Sequence, residues 1–237
     1  SLLIADGEDP YPVDVPSRRT AIPYSFGMQL LAAPLIRAFG AHLWIGRVLS
    51  LIACAGIILL SGYALRKRYS LSWGPVSGGL LLALAVHSLS GYSLIKFHPN
   101  ALTIFFGVAA GTVSPVEPRS PGRWTAAALL ALGAFFFKQT GIVFVFAVLS
   151  AMLFSLRWRA IPFIVGTLVV GLAIMGAANR LTGGGYFLYC FRMPAAFELY
   201  ERKILSSMAC TLFCAPLFIA FSIPVWLRVQ SFRDPLL

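Results

Sequence analysis

Lys138 is the residue whose setting most asks for a chemical role. It lies in Phe135-Phe136-Phe137-Lys138-Gln139-Thr140-Gly141, and no charged residue falls in 124–137 before it or 141–156 after it. A single helix over both runs would be about 50 Å long, well beyond a hydrocarbon core of about 30 Å. The chain is therefore predicted to turn at Lys138-Gln139-Thr140-Gly141. Each arm then spans only about 21–24 Å, which sets the ammonium below the membrane surface. A charge there is costly in lipid and faces a cavity, a partner or a substrate. Other polar groups fall beside this one once the chain is threaded. Lys96, His98 and Asn100 close one apolar run, and Arg47 lies about a turn inside another. Asp6, Glu8, Asp9 and Asp14 mark the opening segment, with Tyr11 and Tyr24. Cations of this kind hold a phosphate, and a guanidinium grips it bidentately. A carboxylate beside them accepts a proton from a hydroxyl.

Each residue also has a plainer reading. Arg47 and Lys96 can snorkel to the interface. His98 can be a turn histidine, and Asn100 can cap a helix starting at Ala101. Glu8 and Asp9 can be solvated loop acids. Gly183-Gly184-Gly185 has no following Lys-Ser/Thr, so it is read as a chain-reversing linker and not as a nucleotide-phosphate loop.

The elements that must position these groups follow from composition. Of 237 residues, 59% are hydrophobic and 11% charged, against about 25% charged in soluble domains. The class is all-α: a polytopic membrane protein with about seven transmembrane helices. The net charge of +11 is spread over 19 Lys and Arg between apolar runs and forms no basic nucleic-acid-binding face. Cys54, Cys190, Cys210 and Cys214 show no metal-ligand spacing and read as small buried thiols. No cofactor is evident. The chain starts at Ser1 without Met and is read as a fragment of a longer protein.

Residues 1–41 read as an extracytoplasmic loop. Pro10, Pro12, Pro16 and Pro23 oppose a long helix in its first part, and 25–40 is a short interfacial helix. Residues 42–230 form the transmembrane domain. Its spans are expected over 42–65, 71–95, 101–113, 124–137, 141–156, 160–179 and 204–227. Parity then gives two faces. Arg66-Lys67-Arg68, the 114–123 loop, Arg157/Arg159 and Arg228/Arg233 share one, which suits the cytoplasm. The opening segment, 96–100, 138–141 and 180–203 share the other. That face holds six of the eight acids (Asp6, Glu8, Asp9, Asp14, Glu198 and Glu201) and reads as extracytoplasmic. Trp44, Trp73, Trp124, Trp158 and Trp226 fall near span ends, as interfacial anchors do.

A family resemblance runs over residues 6 to 159. Gly7-Glu8-Asp9-Pro10-Tyr11-Pro12, Pro23-Tyr24, the run Leu30 to Gly40 and Leu43-Trp44-Ile45-Gly46-Arg47-Val48-Leu49-Ser50 carry it. Together they resemble the opening of polyprenyl-phosphate-sugar-dependent membrane glycosyltransferases of the GT-C type. These enzymes are similar to protein O-mannosyltransferases and to the bacterial transferases that put aminoarabinose on lipid A. Phe137-Lys138-Gln139-Thr140 resembles a recurrent segment of the bacterial members.

The resemblance implies inverting transfer from a polyprenyl-phosphate sugar to a hydroxyl of a lipid, glycan or protein. The setting would be the outer face of a bacterial cytoplasmic membrane. The family's acidic base would lie upstream of Ser1. Where relatives carry Arg-Pro-Asp, this chain has His98-Pro99-Asn100, and an amide replaces neither a base nor a metal ligand. On this reading Lys138 and Arg47 hold the donor phosphate. Gln139, Thr140, Lys96, His98 and Asn100 line the sugar or acceptor pocket, and Tyr11 and Tyr24 stack on sugar faces. The rival class is a transporter or flippase for an anionic lipid or polyol, which also needs recessed charges and broken helices.

Overall fold

The computed structural model describes residues 6, 25–69, 99–114 and 120–193, and all regular structure among them is helical. In chain order the main helices are α1 (Gly27–Phe39), α2 (Leu43–Tyr69), α3 (Asn100–Val113), α4 (Pro121–Phe137), α5 (Ile142–Leu156) and α6 (Ile161–Leu181). A short α7 (Gly185–Phe187) runs into a π-helical turn, Leu188–Arg192. The spans expected over 71–95 and 204–227 lie outside the described residues.

Among the described residues, two stretches are long and apolar enough to cross a membrane, Leu43–Ala64 and Gln139–Leu181. The second is α5 and α6 in series. α3 and α4 have 14 and 17 residues, short of the roughly 20 a full crossing needs.

The bundle is built on the antiparallel pair α3 and α4. Phe106 stacks on Phe137 with centroids 5.0 Å apart. At the other end Ala110 packs in one cluster with Trp124, Ala127 and Ala128, and Arg123 Nε donates to the Val113 carbonyl at 3.1 Å. α2 runs parallel to α3: Ala53 clusters with Ala101 and Leu102, and Gly56 meets the Phe105 ring. α5 folds back along α4, placing Val145, Val148 and Met152 in the cluster that holds Ala131, Phe135 and Trp124. α6 follows, with Phe163, Ile164 and Met175 against that cluster. Alanine and glycine on the inner faces let the helices approach closely, which suits packing without a strong hydrophobic drive between helices.

α1 is apolar but short, and it buries Met28, Gln29, Ala32 and Ala33. Leu30, Leu31 and Phe39 stay exposed. A short helix thus stands where the sequence predicts one over 25–40.

The tryptophans divide. Trp158 and Trp44 are 83% and 48% exposed, as anchors at a surface would be. Trp124 is only 1% exposed and sits inside the α3–α4–α5 packing. Proximity to a span end does not fix the face a side chain points to, and here the inner face takes the largest ring.

Between α5 and α6 the chain reverses through a 3-10 turn, Arg157–Ala160. Arg157 adopts φ 53° and ψ −127°. That region suits glycine and strains a residue with a Cβ by about 1–3 kcal/mol. Arg157→Gly is expected to raise the unfolding midpoint in mild detergent by a few degrees. Circular dichroism at 222 nm during heating checks it.

Candidate functional site

The site is built at the end of the bundle where α2, α3 and α5 begin and α4 ends. α4 stops at Phe137, and Lys138 leaves it in extended conformation (φ −154°, ψ 139°). The 3-10 turn Gln139–Gly141 follows, and α5 starts at Ile142. The reversal thus falls at the four residues the charge pattern marks. Its backbone is paired: Lys138 N–H donates to the Ala134 carbonyl at 3.2 Å, and Gly141 N–H to the Lys138 carbonyl at 2.8 Å.

Two glycines fix the last turn of α4. Gly141 lies directly against the Ala134 and Phe135 backbone. From the other side a Cβ on Gly27 would come 2.6 Å from the Phe136 carbonyl oxygen. Neither position has room for a side chain, so Ala134–Phe137 is held between α1 and the turn. That grip sets where Lys138 emerges.

The Lys138 ammonium donates to Asn100 Oδ1 at 2.8 Å, across 38 residues of sequence. Both side chains are half-buried. Asn100 is the first residue of α3, whose N-terminus carries no side-chain cap. Its amide oxygen serves the lysine instead. Gln139 Nε2 donates to the Cys190 carbonyl at 3.1 Å, tying the turn to the π-helical segment. A π-turn shifts backbone pairing and commonly occurs at functional positions. Thr140 is exposed on the same turn.

A third tie was not signalled by the sequence pattern. Tyr186 is fully buried, and its hydroxyl pairs with Ser25 Oγ at 3.0 Å. Phe26 stacks on Phe136 at 5.4 Å and tilts against Tyr186 at 5.5 Å. The only sequence hint was the aromatic content of the segment after Gly183-Gly184-Gly185. Four segments distant in sequence thus meet at one end: 25–29, 99–101, 137–141 and 186–191.

Burial pushes the Tyr186 hydroxyl up to about 12, with its Ser25 bond opposing and Cys190 adding to the rise. A raised acid pKa stabilises the fold at pH below the unfolded value of 10.0, and this contribution is lost as pH climbs towards 12. Wild type is therefore expected to lose more stability between pH 9 and about 12 than Tyr186→Phe does. Paired thermal melts across that range read the difference.

Arg47 stands apart. Ala53 of α2 is level with Ala101 and Leu102 of α3, so Arg47 lies about 8 Å further out than Asn100. It is exposed. Tyr11, Tyr24, Lys96 and His98 lie outside the described residues. Of the groups predicted from sequence, the structure brings together Lys138, Gln139, Thr140 and Asn100.

Electrostatically this end favours an anion. α3 and α5 both present their N-termini beside Lys138, and none of the described helices contains a carboxylate. Helix N-termini carry partial positive charge that adds to the ammonium, while the α4 C-terminus offsets part of it. Among the described residues, no group of three or more His, Cys, Asp or Glu could hold a metal ion. No family model, curated protein or solved structure gives a significant match to this chain.

Proposed function

We propose that the chain is part of an integral membrane glycosyltransferase that takes its sugar from a polyprenyl-phosphate donor. The observation that carries this reading is the half-buried Lys138 ammonium, oriented by Asn100 where four segments converge. A half-buried ammonium beside the N-termini of α3 and α5 suits a phosphate oxyanion. Such a cation stabilises the charge that develops on a leaving lipid phosphate. Gln139 and Thr140 occupy the same turn and would face the sugar or the acceptor hydroxyl. Arg47, further out on α2, would meet a part of the substrate nearer the membrane surface. The apolar lengths of α2 and of α5 with α6 support a place in a membrane, and the apolar runs of the whole sequence would make a bundle of about seven spans. The end bearing Lys138 would be extracytoplasmic, because the opposite end carries clustered cations at helix termini.

The test is turnover. Full-length protein in liposomes is given a panel of radiolabelled polyprenyl-phosphate sugars and hydroxyl acceptors. Transfer of label, or donor hydrolysis without acceptor, supports the reading. Substrate counterflow with no bond broken assigns the chain to transport.

A further inference from the structure

The opposite end of the bundle has a composition that catalysis at Lys138 does not use. The last turn of α2 carries Arg66 and Lys67. The start of α4 contributes Arg123, whose Nε is fixed on the Val113 carbonyl at 3.1 Å. The α5–α6 turn contributes Arg157 and Arg159. All five side chains are exposed. They share one end because α2, α3 and α5 all run towards it while α4 starts from it. Trp124 and Met152 pack together there with Ala160. α4 has 17 residues, so this end stands about 25 Å from Lys138.

Two further observations point to an occupant. Trp158 sits between Arg157 and Arg159 and is 83% exposed. An indole flanked by guanidiniums suits the headgroup layer, where its ring meets acyl chains and the arginines meet phosphates. The turn that presents this triplet holds Arg157 at φ 53°, a conformation glycine would adopt with less strain. Arginine there places a cation at a cost in stability, and strained positions of this kind cluster at functional sites. Between α3 and α4 the sequence also holds Glu117 and Arg119, which balance each other in charge.

We propose that this end is a docking surface for anionic phospholipid headgroups of the leaflet it faces. It selects them over zwitterionic lipid and fixes the depth of the short helices in the bilayer. The inference rests on the membrane placement proposed above and not on glycosyl transfer. Clustered Lys and Arg next to a span attract acidic lipids in this way, and the attraction weakens with salt.

The experiment reconstitutes the chain in phosphatidylcholine vesicles carrying trace spin-labelled phosphatidylglycerol or spin-labelled phosphatidylcholine. The motionally restricted fraction of the electron spin resonance spectrum gives the relative association of the two lipids. Wild type is expected to favour the anionic lipid about fivefold at low salt. The variant carrying Arg66→Gln, Lys67→Gln, Arg123→Gln, Arg157→Gln and Arg159→Gln should fall to near one. A charge-keeping variant, with the four arginines changed to lysine, should retain most of the preference. Arg180→Gln with Arg192→Gln, at the far end, should leave it unchanged. Arg157→Gly should lower it while raising the melting midpoint. A wild-type ratio of one, or an unchanged ratio in the glutamine variant, overturns the proposal. A chain that fails to float with vesicles after alkaline carbonate overturns the membrane placement as well, so the two failures are distinguishable.

Discussion

Lys138→Ala is expected to cut sugar transfer by about 10²–10³-fold while leaving the helical spectrum and the melting midpoint close to wild type. On the proposed function the loss falls on the chemical step, because the ammonium would meet charge that grows on the leaving phosphate. Lys138 is half-buried and accepts no load from the core: the rings that pack α4 against α1 and α3 are Phe136 and Phe137. Removing it does leave Asn100 Oδ1 without its 2.8 Å donor. That oxygen sits at a half-buried helix start, so the stability cost is about 1 kcal/mol. Lys138→Arg keeps the charge but changes its shape, and should retain part of the activity. Asn100→Ala removes the 2.8 Å acceptor that orients the ammonium and should cost about tenfold, mostly in kcat. Single-turnover rates with a labelled donor, read beside circular dichroism, separate lost chemistry from lost fold.

Gly141→Ala is expected to destabilise the protein by about 3 kcal/mol and to abolish activity with it. The added methyl would meet the Ala134 carbonyl and the Phe135 nitrogen, which are backbone atoms of a helix that cannot swing aside. Either α5 tilts away from α4 or the last turn of α4 unwinds. Both movements shift Lys138 and the Gln139 bond to Cys190. The matching control is Gly166→Ala in α6, where nothing lies within 4 Å of the new atom. In a helix interior that change should be neutral or stabilising by up to about 1 kcal/mol. Unfolding of both variants in mixed micelles by titrated denaturing detergent reads the contrast. Equal midpoints would mean that the turn does not depend on close backbone contact.

The hairpin at Lys138 was readable from the sequence because a lone charge between two long apolar runs leaves few places to stand. The boundaries of α2, α3, α5 and α6 were readable for the same reason: charges and prolines punctuate apolar runs at helix ends. Asn100 shows what such patterns miss. Local reasoning offers it a capping role, whereas its partner lies 38 residues away. The Ser25–Tyr186 pair spans 161 residues and had no local signal at all. Trp124 departs from the anchor role for a related reason. Position along a helix gives depth, but only packing decides which face turns inward. Arg47 was grouped with Lys138 by side of the bundle, and helix register then set it about a turn and a half further out.

Binding of polyprenyl phosphate, compared with the uncharged polyprenol of the same length, tests the phosphate grip most directly. Native mass spectrometry of wild type and Lys138→Ala, released from micelles containing equal amounts of each lipid, gives the ratio bound. Wild type should retain the phosphate at least tenfold over the alcohol, and the alanine variant should hold the two about equally. Equal retention by wild type, or a phosphate preference that survives in the variant, would contradict the assignment of Lys138 to the donor phosphate.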